Sequence, residues 1–239
     1  MQRQLVSGYI EGFLQREHNG PEHLEELVTT LRKLCGRDGE DDKDRKAIKE
    51  AVEALSRAAE LREHNAAGHG EQCSHYTGMI ARGLNLAAHE VEDLTFAGRV
   101  HDVGKLFVPD RVLNKAGALT EDEFAVIKKH PLVGAEVLRA IPDIERVAEA
   151  IESHHEAFDG NGYPRGLKGE DIPLYGRIVA VADAYVNMTS DRSFAPPKTD
   201  EQAMAELGKQ SGTRFDGMIV RLFARLLKME RATSFGGAN

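Results

Sequence analysis

The stretch HDVGKLFVPDRVLNK, residues 101–115, sets an imidazole and a carboxylate side by side at His101 and Asp102, with Lys105 about one turn beyond. Neighbours on a helix point about 100° apart and do not normally face one partner. Two metal ions lying side by side remove the difficulty, because the histidine binds one while the carboxylate bridges both. Outward from this pair, His69, His130, His154, His155 and Asp183 complete a series of five histidines and two aspartates. Each falls in or at the end of a predicted helix, so rigid elements can aim all seven at one point. A mixed His/Asp set without Cys points to Mn or Fe more than to structural Zn, since imidazole suits several transition metals and a bridging carboxylate suits hard divalent ions.

The patterning predicts an all-α protein. Strand signals are nearly absent; the β-rich run RIVAVA (177–182) reads equally well as a buried helix. Residues 1–66 form an N-terminal helical region. Leu24, Leu27, Leu31 and Leu34 follow one helical stripe behind Pro21, which suits a first turn. The acidic stretch 36–44 predicts a loop, and a second helix from Arg45 to Glu63 carries Ile48, Val52, Leu55 and Ala59 at helical spacing. That stripe either covers the main domain or serves as a dimer or signalling helix. Residues 67–230 form the main helical bundle. Thr120 and Glu123 make a capping box, and His130-Pro131 closes one helix and opens the next. A Gly-rich loop, DGNGYPRGLKG (159–169), suits a substrate-facing element on a helical scaffold. The last helix spans about Met218 to Met229, and 231–239 reads as a disordered tail.

Composition narrows the function classes. With 239 residues, 41% apolar and 29% charged, the chain is neither disordered nor a membrane protein. No apolar run approaches the roughly 20 residues of a membrane span, and the first twenty residues lack the order of a signal peptide. A net charge of −8 argues against a nucleic-acid coat, yet not against a phosphate substrate, since bound cations reverse the local sign. Cys35 and Cys73 are far apart, so no disulfide framework is expected and a reducing cytoplasm fits. A lone helical histidine is usually an ordinary surface or core residue, and His18, His23, His64, His75 and His89 read that way.

HDVGKLFVPDRVLNK (101–115), KKHPLVGAEVL (128–138), HHEAFDGNGYPRGLKGEDIPLYGRIVAVADAY (154–185) and TSDR (189–192) together resemble the HD-GYP branch of the HD phosphohydrolases. The resemblance runs from about Ala67 to Leu227. It implies an HD-type helical bundle that hydrolyses cyclic di-GMP to linear pGpG, or on to GMP, in the cytoplasm of a bacterial cell. It further implies two divalent ions, Fe or Mn. One would be held by His69, His101, Asp102 and Asp183, the other by Asp102, His130, His154 and His155. A three-metal variant needs a Glu one turn before the first histidine; Asn65 stands there, so two metals are expected. Lys105 and Arg192 would bind phosphate, and Gly162, Tyr163, Pro164 and Arg165 would face the substrate, with the Tyr163 ring free to stack on guanine.

The sequence departs from the family pattern in places. Ser193, Phe194 and Ala195 follow TSDR, so a basic residue is missing. Val186 stands where Asp is common, Asn187 where a small residue is common, and Cys73 replaces a usual aliphatic. None removes an expected ligand. The expected chemistry is in-line attack by a metal-activated bridging hydroxide, with Asp102 and Lys105 as catalytic residues. Competing readings are a non-catalytic module that binds a cyclic dinucleotide or a protein partner, and a hydrolase of another cyclic dinucleotide. The resemblance implies GGDEF-type signalling proteins as partners; the helical stripe of residues 1–66 offers a homodimer contact, and charge and hydropathy speak against a nucleic-acid polymer or a membrane.

Overall fold

The computed structural model describes residues 21–34, 42–63, 66–191 and 196–236. Cys35, Asn65, Arg192, Ser193, Phe194, Ala195 and 237–239 lie outside the described residues. The helices in chain order are α1 (Pro21–Leu34), α2 (Asp42–Arg62), α3 (His69–Gly83), α4 (Ala88–Val100), α5 (Asp110–Leu113), α6 (Glu121–Ile127), α7 (His130–Leu138), α8 (Glu145–Ser153), α9 (Leu174–Thr189), α10 (Asp200–Lys209) and α11 (Gly217–Gly236). Short 3₁₀ turns occupy Val103–Phe107 and Gly169–Asp171. Among the described residues there is no strand, and no helix is long and apolar enough to cross a membrane.

The RIVAVA run is helical, inside α9. Ile178, Val179, Val181 and Ala182 are all fully buried, as are Tyr185 and Val186. A helix covered by neighbours on most sides shows no polar stripe, which is why its sequence resembled a strand. It packs on α3, α8, α4 and α10 at the centre of the bundle.

The stripe on α2 turns inward. Ile48, Val52, Leu55 and Ala59 are each at most 1% exposed and belong to the same core as α4, α8 and α9. This face is therefore taken up by the chain's own interior. On α1, Leu27 and Leu31 are fully buried in the same core, and the helix lies against α7.

Caps and close approaches fix the turns. Thr120 Oγ1 accepts from the Glu123 amide at 3.2 Å, while Glu123 Oε2 accepts from the Thr120 amide at 2.8 Å. The same box recurs at Thr199 and Gln202 at the start of α10. In HDVGK, the glycine is demanded by crowding: any side chain at Gly104 would run into the carbonyl of His130 at the start of α7.

The expected disordered tail at 231–239 needs correction over 231–236. Helix α11 continues to Gly236, with Arg231 paired to Asp200 and, at 2.7 Å, to Glu201 on α10. No helix breaker follows Met229 until the Gly236-Gly237 pair, so the helix runs on.

Truncating the α2 stripe tests its burial. Leu55→Ala should cost about 2–5 kcal/mol, read as a lowered urea midpoint at unchanged slope; a shift near zero would show that α2 does not share the core.

Candidate metal centre

Six of the seven expected ligands sit at helix ends or just beyond. His69 opens α3, His130 opens α7, and His101 and His154 cap the ends of α4 and α8. Asp102 and His155 are the next residues after those caps. Asp183 alone lies mid-helix, on α9. The chain leaves the helix right after His101, with Asp102 at φ −98° and ψ 8°. The two neighbours thus escape the helical 100° offset, and His101 Nε2 lies 3.4 Å from Asp102 Oδ2.

Backbone carbonyls fix the imidazole tautomers. His101, His130 and His154 each place Nδ1 against the carbonyl three residues earlier, at Gly98, Ile127 and Ile151, at 2.9, 2.8 and 2.6 Å. A carbonyl only accepts, so each Nδ1 must donate. In the neutral ring that leaves the Nε2 lone pair aimed into the centre.

The inward atoms fall into two groups joined by one carboxylate. In the first, His69 Nε2 lies 3.3 Å from His101 Nε2 and 3.0 Å from Asp183 Oδ1. In the second, His130 Nε2 lies 3.4 Å from His154 Nε2, with His155 beside them. Asp102 turns Oδ2 toward His101 and Oδ1 toward His130, the latter at 3.2 Å. The structure therefore brings all seven predicted ligands together. The tautomer-fixed Nε2 lone pairs and two carboxylates face one another, an arrangement that divalent cations would relieve. Separations of 3.0–3.5 Å are also those between donors on one ion with bonds near 2.1 Å. The residues fit a pair of divalent ions.

Charge is distributed unevenly. Burial opposes the ionised forms of Asp102 and Asp183, yet their neighbours outweigh it. Lys105 and His101 hold Asp102 well below the usual carboxylate range, and hydrogen bonds from His101 and His69 do so for Asp183. Burial also pushes His101 down, but Asp102 and Asp183 prevail and raise it to about 9. Burial and the neighbouring His101 and His130 lower His154 to about 3, and burial with His154 lowers His155.

Lys105 has a different immediate task from the expected phosphate contact. Its ammonium lies 2.8 Å from both Asp102 Oδ2 and Glu63 Oε2, so it orients the shared carboxylate. Burial disfavours its charge, but these two carboxylates hold it protonated. Tyr163 leans against His155, with ring centroids 4.9 Å apart at 32°, and burial raises its hydroxyl to about 12. Gly162 lies so close to the backbone of Glu156 and Ala157 that a side chain would not fit. The loop is held by Glu156, which accepts from the amides of Arg165 and Leu167 at 2.6 and 3.1 Å. The Arg165 guanidinium is paired with Glu152, and the Tyr163-Pro164 bond is cis. Arg192 lies outside the described residues. A cavity of about 450 Å³ opens beside His69, lined by Ala66, Ala67, Gln72, Thr189, Ser190 and Asp191.

Four contributors escaped the sequence reading. Cys73 Sγ lies 3.6 Å from His69 Nε2, within the first group. Cys73 thus lies beside a set read from the sequence as free of Cys; the signal for its placement was the i, i+4 spacing that puts it and His69 on one face of α3. Asn187, one turn beyond Asp183, donates to its Oδ1 at 2.6 Å. Glu60 accepts from the Gly68 and Gly70 amides at 3.1 and 3.0 Å, which fixes the turn that presents His69. Glu63 anchors Lys105. Glu60 lies in the last turn of α2 and Glu63 directly follows it, and no local pattern marks them.

The HD domain family model matches residues 53–219. The chain belongs to the HD domain family. Its Gly162-Tyr163-Pro164 loop and its relatives place it in the HD-GYP branch. It is 38% identical over 181 residues to a cyclic di-GMP phosphodiesterase of Thermotoga maritima, covering 75% of this chain and 49% of that one. It is 41% identical over 179 residues to the cyclic di-GMP phosphodiesterase response regulator RpfG of Xanthomonas campestris, covering 74% and 47%. The solved structure of a Vibrio cholerae phosphodiesterase specific for cyclic GMP-AMP superposes with a TM-score of 0.59 at 25% identity, covering 80% of this chain and 51% of that one. The chain thus spans about half the length of the curated relatives it matches. In this HD domain the match begins within α2, the helix that supplies Glu60 and leads directly into Glu63.

His101 gives the centre a pH dependence. Its raised value means that the charged form stabilises the metal-free fold fully below pH about 6.5, and that this contribution is lost as pH rises through about 9. A metal ion needs the neutral ring, so uptake near pH 7.5 should release about one proton from His101. Apparent affinity should climb toward pH 9. Calorimetry in two buffers of different ionisation enthalpy reads this; identical heats in both would contradict it.

Proposed function

We propose that this HD domain is a metal-dependent phosphodiesterase acting on a cyclic dinucleotide, cyclic di-GMP foremost, to give linear pGpG. The observation that carries the reading is Asp102, a buried carboxylate offering one oxygen to each of two donor groups. Such pairing serves hydrolysis of phosphate esters, because two adjacent cations lower the pKa of water and withdraw charge from a phosphodiester.

His69, His101 and Asp183 would hold one cation, His130, His154 and His155 the other, with Asp102 shared. Overall, water adds to one phosphorus, the P–O3′ bond breaks, and a 5′-phosphate and a 3′-hydroxyl result. Lys105 keeps Asp102 aligned through the reaction and adds positive charge beside the phosphate. Tyr163 stays neutral at physiological pH, so its ring offers a stacking face and its hydroxyl a proton donor. The cavity beside His69 gives the rest of the nucleotide a place, and Arg192 of the TSDR segment would meet the second phosphate. Fe and Mn are the proposed ions, with Zn in view once Cys73 is counted. A reducing cytoplasm suits the buried thiol of Cys73.

A second substrate, 3′3′-cyclic GMP-AMP, has its own support in the fold shared with the Vibrio cholerae enzyme. The two cyclic dinucleotides share the phosphodiester and differ at one base, so the discrimination lies at the stacking loop.

Turnover under anaerobic conditions with Fe(II) or Mn(II) tests the reading, with cyclic di-GMP and cyclic GMP-AMP in competition and products separated by chromatography. Linear dinucleotide should accumulate. Binding without product, by protein carrying two metals, would leave a nucleotide-binding module. Asp102→Asn should reduce kcat by 10³-fold or more, about 4 kcal/mol, and release metal from both groups; retained turnover would remove Asp102 from its shared role.

A further inference from the structure

We infer that Cys73 is a fifth protein ligand of the first cation position, beside His69, His101, Asp183 and the shared Asp102, making it a mixed thiolate–imidazole–carboxylate site. This rests on the metal-centre reading above and adds a donor to it.

Cys73 is fully buried, one helical turn after His69 on the same face of α3. Its sulfur and single donor atoms of His69, His101 and Asp183 all lie within 4.8 Å of one another. The 3.6 Å between Sγ and His69 Nε2 lies at the upper end of the roughly 3.1–3.6 Å that bond lengths near 2.3 and 2.05 Å give for a sulfur and a nitrogen on one ion at angles of about 90–110°. His69 Nε2 also lies 3.0 Å from Asp183 Oδ1 and 3.3 Å from His101 Nε2, so the sulfur faces an already crowded group of donor atoms.

A second observation points independently to a cation at the same spot. His101 Nε2 is directed inward because Nδ1 donates to the Gly98 carbonyl, and the ring is 1% exposed. It meets His69 Nε2 at 3.3 Å and Asp183 Oδ1 at 3.5 Å. The sulfur therefore joins a converged set of donors.

The chemical consequence is selectivity. A thiolate favours softer ions, so this position should prefer Zn(II), Co(II) or Fe(II) over Mn(II), whereas the His130 group has no sulfur. Binding expels the thiol proton to solvent.

Cobalt(II) titration of the full chain reads the sulfur directly. Wild type and the control Cys35→Ser should develop a near-ultraviolet thiolate-to-cobalt band; Cys73→Ser and Cys73→Val should lack it. In competition, Cys73→Val should lose tenfold or more of the Zn-over-Mn preference at one of two positions. Cobalt bound to wild type without the band, or a band that survives in Cys73→Val, overturns the inference, as does a chain that takes up no cobalt. Folding of each variant is checked by circular dichroism, and the serine and valine variants bracket polar and apolar replacement. The outcomes separate cleanly: hydrolysis without the band removes the sulfur ligand and keeps the phosphodiesterase, while the band without hydrolysis does the reverse.

Discussion

The structure turns on an electrostatic conflict held in the middle of a helical bundle. Tautomer-fixed imidazole nitrogens, two ionised carboxylates and a thiol converge from side chains buried in the bundle. Without a cation these atoms are mostly acceptors facing acceptors, a costly arrangement in a buried site. The metal-free protein eases the conflict with a proton on His101 and the ammonium of Lys105. Divalent ions resolve it in full, which is why the centre reads as a place for cations.

Helix ends make this convergence possible. A residue at a helix terminus is free of the 100° step that separates neighbours within the helix, and His101-Asp102 and His154-His155 both use that freedom. The ends bring a second benefit. Carbonyls of the last turn lack partners within the helix, and those of Gly98 and Ile151 accept from the Nδ1 of the histidine that caps it. One feature thereby satisfies the helix and sets the tautomer. The glycine at Gly104 then lets α7 come close enough for His130 to meet Asp102.

The N-terminal helices belong to this machinery. Glu60 in the last turn of α2 and Glu63 directly after it hold the His69 turn and the Lys105 ammonium, while Ile48, Val52 and Leu55 lock the helix into the common core. Arg62 adds bonds to the carbonyls of Leu106 and Val108, at 2.6 and 3.0 Å, on the turn that follows the His-Asp pair. A change of position of α2 would thus be felt at both groups through Lys105 and Asp102.

The ligands, the helical character and several turns were legible in the chain itself. His and Asp have few reasons to recur at helix ends in such order, and capping boxes such as Thr120–Glu123 are encoded within four residues. The helix of RIVAVA was ambiguous because burial on most sides erases the periodicity that distinguishes helix from strand. What required the tertiary structure were relations between distant segments: Glu60 and Glu63 reaching back to His69 and Lys105, the commitment of Lys105 to two carboxylates, and the pairing of Arg165 with Glu152. Cys73 lay between the two cases. Its spacing from His69 was visible, but whether its face looked into the centre or into ordinary core depended on how α3 sits against α4 and α9. Local chemistry is written in neighbouring residues, whereas the direction in which each group points is set by the packing of whole helices.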